Sequence, residues 1–285
     1  MNSRLVLAVF LIASASTAMA GGGWPQPKGK VYLKLSQWWV ISDQHFTNTG
    51  QIDPNLTRGA FNTSIYGEYG FTDRLTGILY FPFFSRATLN EQVSGTTGML
   101  ISEGDAVNSV GDADISLKYG LITNKPIVVS ASLTLGLPLG NDSGGRDGSL
   151  QTGDGEFNQM ITIDVSKSFK IGDLYPFLTV SAGFNNRTND YSDEFRYGVE
   201  GGITFKKFTG ILRVYGIKSL QNGEENFNAM GTSLFANNVE YMSFSPELAY
   251  NFTESLGISA SYGTAFSGKL IYANPSYSVG VFLKF

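Results

Sequence analysis

The sequence predicts an all-β fold: a transmembrane, antiparallel, up-and-down β-barrel of about 12 strands with both termini in the periplasm. Three observations predict it. The chain opens on an export leader, its hydrophobicity then alternates with a period of two in segment after segment, and the connections between those segments alternate in length.

In the leader, residues 1–4 carry one positive charge at Arg4, residues 5–12 are unbroken apolar sequence, and Ala18, Met19 and Ala20 form a small-residue cleavage pattern. A membrane-spanning helix needs about 20 apolar residues, so this shorter core reads as a secretory signal peptide. Residues 1–20 are expected to be removed, leaving residues 21–285 as one barrel domain that starts at Gly21. No cysteine occurs, which excludes both a lipid on an N-terminal Cys and a disulfide framework. Loss of Arg4 from the 20 Lys and Arg leaves 19 against 24 Asp and Glu, a net charge of −5. That sign does not suit phosphate binding, and no nucleic acid is expected as a partner. Charged residues make up 15% of the chain, against about 25% in soluble domains, while 34 glycines and 13% aromatic residues suit a sheet that meets lipid.

Twelve segments then alternate: residues 31–39, 61–71, 75–83, 112–121, 127–137, 157–169, 175–185, 195–205, 210–218, 242–252, 256–262 and 277–285. The clearest is 112–121, where Ala113, Ile115, Leu117, Tyr119 and Leu121 alternate with Asp112, Asp114, Ser116, Lys118 and Gly120. Most are near the roughly 9 to 11 residues that a tilted membrane strand requires. No apolar run after residue 20 is long enough for a spanning helix, and lipid offers the backbone no outside partner. The sheet must therefore close on itself, with the apolar face toward lipid and the polar face lining the lumen.

Short connections at 72–74, 122–126, 170–174, 206–208 and 253–254 alternate with long ones at 41–60, 85–111, 139–155, 186–194, 219–238 and 266–276. Short turns read as periplasmic and long loops as external. Two short turns echo each other: Tyr69, Phe71, Thr72, Asp73 and Leu75 match Tyr250, Phe252, Thr253, Glu254 and Leu256 in aromatic-x-Phe-Thr-acid-x-Leu, which reads as one hairpin chemistry. Pro246 calls for a bulge or a revised strand, because proline removes a ladder hydrogen bond.

The last strand carries Ser278, Gly280, Leu283 and Phe285 in a pattern that resembles the assembly signal of outer-membrane barrels, so the barrel-assembly machinery is an expected partner alongside outer-membrane lipid. Catalysis has little support, and the chain is expected not to be an enzyme: His45 is the only histidine, with Ser42, Asp43 and Thr47 nearby, and a triad needs three such groups to converge. No cofactor is expected. The Asp- and Gly-rich stretch at 141–155 could offer oxygens to Ca²⁺ but lacks the EF-hand spacing, and reads as flexible turns. Met99, Leu100 and Ile101 form an apolar patch in a polar loop, either packing on neighbouring loops or folding inward as a constriction or ligand contact.

On the inferred lumen face lie Lys34, Glu68, Asp112, Asp114, Lys118, Asp164, Arg196, Glu200, Arg213, Lys218 and Glu247. They form no one-sign ring, so mutual neutralisation is expected. A turn that sets Lys206 opposite Thr209 would put Arg213 opposite Gly202 and diagonal to Glu200.

The segment 111–121, the two echoing turns and the terminal Phe285 resemble the outer-membrane barrels labelled meta-pathway phenol-degradation proteins, relatives of the long-chain fatty-acid channel. The resemblance implies passive passage of small hydrophobic or aromatic molecules, with a small-molecule solute as partner. The fatty-acid channel has an N-terminal hatch, whereas only residues 21–29 precede the first strand here, so a gate is expected from a loop rather than the N-terminus. The runner-up readings are a closed structural barrel whose loops at 41–60 and 219–238 meet partners, and a general polar diffusion pore.

Overall fold

The computed structural model describes residues 22–172, 174–224 and 234–285; the expected leader lies outside them, as does the middle of the connection at 219–238. No α-helix occurs among the described residues. The strands are β1 (Val31–Phe46), β2 (Ile52–Gly70), β3 (Leu75–Leu89), β4 (Gln92–Val93), β5 (Leu100–Ser102), β6 (Asp105–Ser109), β7 (Ala113–Ile122), β8 (Ile127–Leu137), β9 (Asn158–Ser168), β10 (Phe177–Arg187), β11 (Glu194–Phe205), β12 (Phe208–Ser219), β13 (Glu240–Asn251), β14 (Leu256–Lys269), β15 (Ile271–Tyr272) and β16 (Ser276–Lys284).

All but β4, β5, β6 and β15 form one antiparallel ring of 12 strands, each paired with its neighbours in the chain. The first and last strands close it, from Tyr32 opposite Lys284 to Val40 opposite Ser276. Val31 N also donates to Phe285 O at 2.8 Å, so the first strand starts and the last ends at the short-turn rim. The small strands extend the long-loop rim: β6 pairs with β3 above β7, β15 pairs with β1 above β16, and β4 and β5 form a separate ribbon.

The period-two pattern produces a ring turned inside out relative to a soluble protein. Ile115, Leu117, Ile163 and Val180 are exposed on the outside, whereas Thr76, Ser130, Ser166 and Thr179 are fully buried inside. An apolar exterior is stable where lipid is the solvent, and closure leaves no unpaired edge there.

Three expectations need correction. The stretch at 41–60 is mostly strand: β1 and β2 contain 16 and 19 residues and leave only 47–51 between them. Most of 266–276 is likewise strand, in β14 and β15. The membrane needs about 9 to 11 residues per strand, so these polar ends project beyond it and carry too little alternation to be recognised. At Pro246 there is no bulge: Leu212 remains opposite Pro246 on β12, and the register shift on the β14 side lies at Met242/Ser243. No pairing to β14 is made at Ser245 or Pro246, so the missing N–H falls where the ladder is already open.

The echoing turns share one hydrogen-bond pattern. Phe71 N and Thr72 N donate to Leu75 O, as Phe252 N and Thr253 N donate to Leu256 O. Thr72 Oγ1 accepts from Leu75 N at 2.9 Å and Thr253 Oγ1 from Leu256 N at 3.0 Å. The repeated residues are hairpin chemistry, with the threonine hydroxyl closing the turn.

Candidate functional site: the lumen and its two seals

One wall of the lumen is a ladder of alternating charge. Glu200 on β11 sits directly opposite Arg213 on β12, two residues from the expected register because the turn pairs Phe205 with Phe208. Arg213 donates to Glu200 Oε2 and Glu247 Oε2, both at 2.6 Å, and Lys34 reaches Glu247 Oε1 at 2.7 Å. Lys34 is on β1 and Glu247 on β13, so the lysine spans β16 and β14, whose inner residues Gly280, Ser278, Ser259 and Ser261 are small. A Cβ on Gly280 would stand 2.9 Å from Lys34 Cε and 3.0 Å from Leu35 O. Gly280 thus has a packing role in addition to any part in assembly. Toward the long-loop rim, Lys218 pairs with Glu240 at 2.7 Å and Arg196 with Glu194 at 2.6 Å.

The opposite wall is hydroxylic. Ser116 and Thr134 lie 2.8 Å apart, as do Ser166 and Thr179, and Ser181 donates to Asp164 at 2.6 Å. Lys118, Asp114 and Asp164 stand on this wall without an ion pair among the described residues. Tyr32 adds an aromatic patch beside the ladder, with Tyr66 and Phe282 rings 6.1 and 5.9 Å away.

The residues before β1 cross the lumen at the short-turn end, where a gate was expected from a loop rather than from the N-terminus. Gly23 N donates to Ser166 Oγ at 2.8 Å on one side of the lumen, and Gln26 N donates to Thr76 Oγ1 at 2.8 Å on the other. Gln26 Nε2 donates to Glu68 at 2.7 Å, where Tyr66 also donates, and Lys118 Nζ donates to Gly22 O at 2.7 Å. Trp24 packs edge-on against Phe177. The segment passes so close to β2 that a Cβ on Gly70 would collide with the Pro27 carbonyl. Its length misled the sequence reading: nine extended residues reach about 30 Å, enough to cross a small barrel.

The long-loop end is covered by the connection between β8 and β9. Asp112, just before β7, accepts from Gly140 N and Asp154 N, each at 2.8 Å. Arg187, at the end of β10, binds Asp154 at 2.9 Å, Glu156 at 2.7 Å and Glu194 at 2.9 Å, and lies 4.4 Å over the Tyr191 ring. Burial, and next the neighbouring Asp112 carboxylate, push Asp154 up to about 6. Burial also raises Asp112 and Glu156. Asp105 and Asp147 lie below the usual carboxylate range because the backbone N–H groups of Arg146 and Ser149 donate to them.

Met99, Leu100 and Ile101 are 69%, 53% and 68% exposed at the β4–β5 ribbon, so the three side chains are not buried against neighbouring loops. The inward loop is the β8–β9 connection instead. Asp142, Asp147 and Asp154 serve separate bonds there, and no group of three metal-ligating side chains occurs among the described residues. Ser42 donates to Gln44 O and Asn274, and Asp43 accepts from Asn274, so neither is bonded to His45. Leu283 faces outward and Phe285 is exposed at the short-turn rim. The plug and Arg187 were missed: the plug carries no periodicity, and Arg187 lies where a strand was expected to have ended.

No protein-family model matches the chain, nor does any curated protein. Among solved structures it is similar to an outer-membrane channel from Pseudomonas putida F1, at 15% identity and a TM-score of 0.62, with 93% of this chain and 98% of that one covered. It is also similar to the β domain of the Bordetella autotransporter BrkA, at 11% identity and a TM-score of 0.50, with 91% and 100% covered. LpxR from Salmonella typhimurium matches at 8% identity and a TM-score of 0.49, with 90% and 100% covered. The fold is that of an outer-membrane β-barrel, and the apolar exterior places the chain in that membrane. The expectation that the chain is not an enzyme is withdrawn, because likeness to solved barrels shows the fold alone and a fold does not decide for or against catalysis.

Proposed function

We propose that the barrel is a passive outer-membrane channel for small apolar or aromatic molecules, with its short turns and both termini in the periplasm and its long loops outside. The observation that carries this reading is the compensated ladder Lys34–Glu247–Arg213–Glu200. A pore tuned to ions would present a ring of one sign, whereas here the charges on one wall neutralise each other and leave aromatic and hydroxyl surface for the solute. The resemblance of 111–121 and the echoing turns to phenol-degradation barrels favours the same solute class. In this reading residues 1–20 are the cleaved leader and Gly280, Leu283 and Phe285 address the chain to the assembly machinery.

The two seals favour a second reading, a structural barrel with a permanently closed lumen. Uptake of a labelled aromatic solute by cells with and without the barrel, together with single-channel current in planar bilayers, separates the two. The channel reading expects faster uptake with a small current. A large, unselective current would favour a general diffusion pore, and neither uptake nor current would leave the structural barrel.

A further inference from the structure

Arg58 stands on the inner face of β2 at the long-loop rim, opposite Ser42 on β1 and Leu89 on β3. It is 6% exposed, yet it has no ion pair among the described residues. Its Nη1 donates to Ser149 O at 3.2 Å and its Nη2 to Ser149 Oγ at 3.4 Å. Its Nε is buried with no hydrogen-bond partner among the described residues. Buried charges are ordinarily paired, and the other buried arginine at this rim, Arg187, holds three carboxylates. Arg58 instead faces a cavity of about 10 Å³ whose walls include Ala60, Ala87, Leu150, Phe235 and Tyr272, room for about one water. The roof is the β8–β9 connection, the loop that covers the lumen.

We propose that Arg58 is the receptor for a small organic monoanion, a carboxylate on an apolar or aromatic body, and that such a ligand displaces the β8–β9 loop by taking the guanidinium from Ser149. Three features define the ligand. The guanidinium fork matches a carboxylate bidentately, and charge-assisted bonds of about 2.7 to 2.9 Å outcompete the long bonds to neutral Ser149 oxygens. The Nε, which bonds to no protein group among the described residues, supplies a further donor. Beyond the guanidinium the walls combine Ala60, Ala87, Leu150, Leu234 and Phe235 with the polar Thr88, Ser149 and Gln151, so an organic body finds apolar contacts there that a bare inorganic ion does not use. Displacement of Ser149 takes the neighbouring Leu150, now 2% exposed, out of its pocket, and the ligand body replaces it there.

This site deepens the channel reading, and the test keeps the two apart. Calorimetric titration of the full barrel in detergent with benzoate, and with benzyl alcohol as its neutral counterpart, is expected to show saturable benzoate binding that Arg58→Gln weakens at least tenfold, with benzyl alcohol unchanged. Equal binding of the two probes, or benzoate affinity retained in Arg58→Gln, overturns the proposal. Should Arg58→Gln fail to fold, Ser149→Ala removes a competing acceptor and is expected to tighten benzoate binding; unchanged or weaker binding overturns it. Uptake of benzyl alcohol by cells carrying the barrel reads the channel separately. Arg58-dependent benzoate binding without uptake upholds the site on a closed barrel, whereas uptake without benzoate binding overturns the site alone.

Discussion

The two ends of the lumen are closed by different chemistry. At the short-turn end each charge is answered by a neutral group of the plug: Lys118 by the Gly22 carbonyl and Glu68 by the Gln26 amide. At the long-loop end the central cation is answered by charges, with Arg187 shared among Asp154, Glu156 and Glu194. The first seal is neutral and tethered to β1. The second depends on the ionisation of buried carboxylates, so the outer end is the one that solution conditions can adjust.

The largest effect should come from breaking the neutral seal. Deleting residues 22–29 removes every plug contact, and single-channel current is expected to rise several-fold; an unchanged current would mean that the short-turn end does not limit flow. Next in size is Arg187→Ala, which leaves three carboxylates facing one another. Removing one partner of a buried pair costs about 3–5 kcal/mol, so hydrogen exchange at residues 140–156 should accelerate while the short-turn end stays protected. Equal acceleration at both ends would show that the seals are not independent.

A smaller, pH-dependent difference follows from Asp154. Its folded-state value, about 6, lies above the ordinary aspartate value of about 3.9, so the folded loop holds the proton more tightly than the unfolded one. That contribution is fully present below about pH 4 and is lost as pH rises through about 6. Exchange at the β8–β9 loop, corrected for intrinsic rates, should therefore quicken over this window, and Asp154→Asn should flatten the profile; a profile unaltered by the substitution would remove Asp154 as its source. The smallest effect is expected from replacing Met99, Leu100 and Ile101 together by Ser. Exposed positions change stability by about 0.5 kcal/mol or less, so only a modest fall in aromatic-solute uptake is expected. If uptake does not fall at all, the patch has no part in gathering solute.

The strands were legible because lipid and lumen impose opposite demands on alternate residues, and 112–121 displays that alternation without interruption. The echoing turns were legible because a threonine hydroxyl serves a local bond three residues away. The seals were not. Gly23 meets Ser166 across 143 residues of sequence and Gln26 meets Thr76 across 50, separations that no local pattern encodes. Arg213 was placed two residues out of register because two lysines side by side, Lys206 and Lys207, give no turn signature. One of its two carboxylate partners was nevertheless identified, since Glu200 is within reach under either register.

The bond from Lys34 to Glu247 also bears on the order in which the ring is made. In an open sheet with free edges at β1 and β16, these two residues belong to opposite margins and are far apart. They meet only when the first strand docks on the last and the lysine lies across Gly280. Until then Glu247 has Arg213 as its partner, and Lys34 is out of reach of Glu247. The pair therefore works as a clasp at the seam, rewarding a sheet that has closed in the correct register over one that has closed a step away.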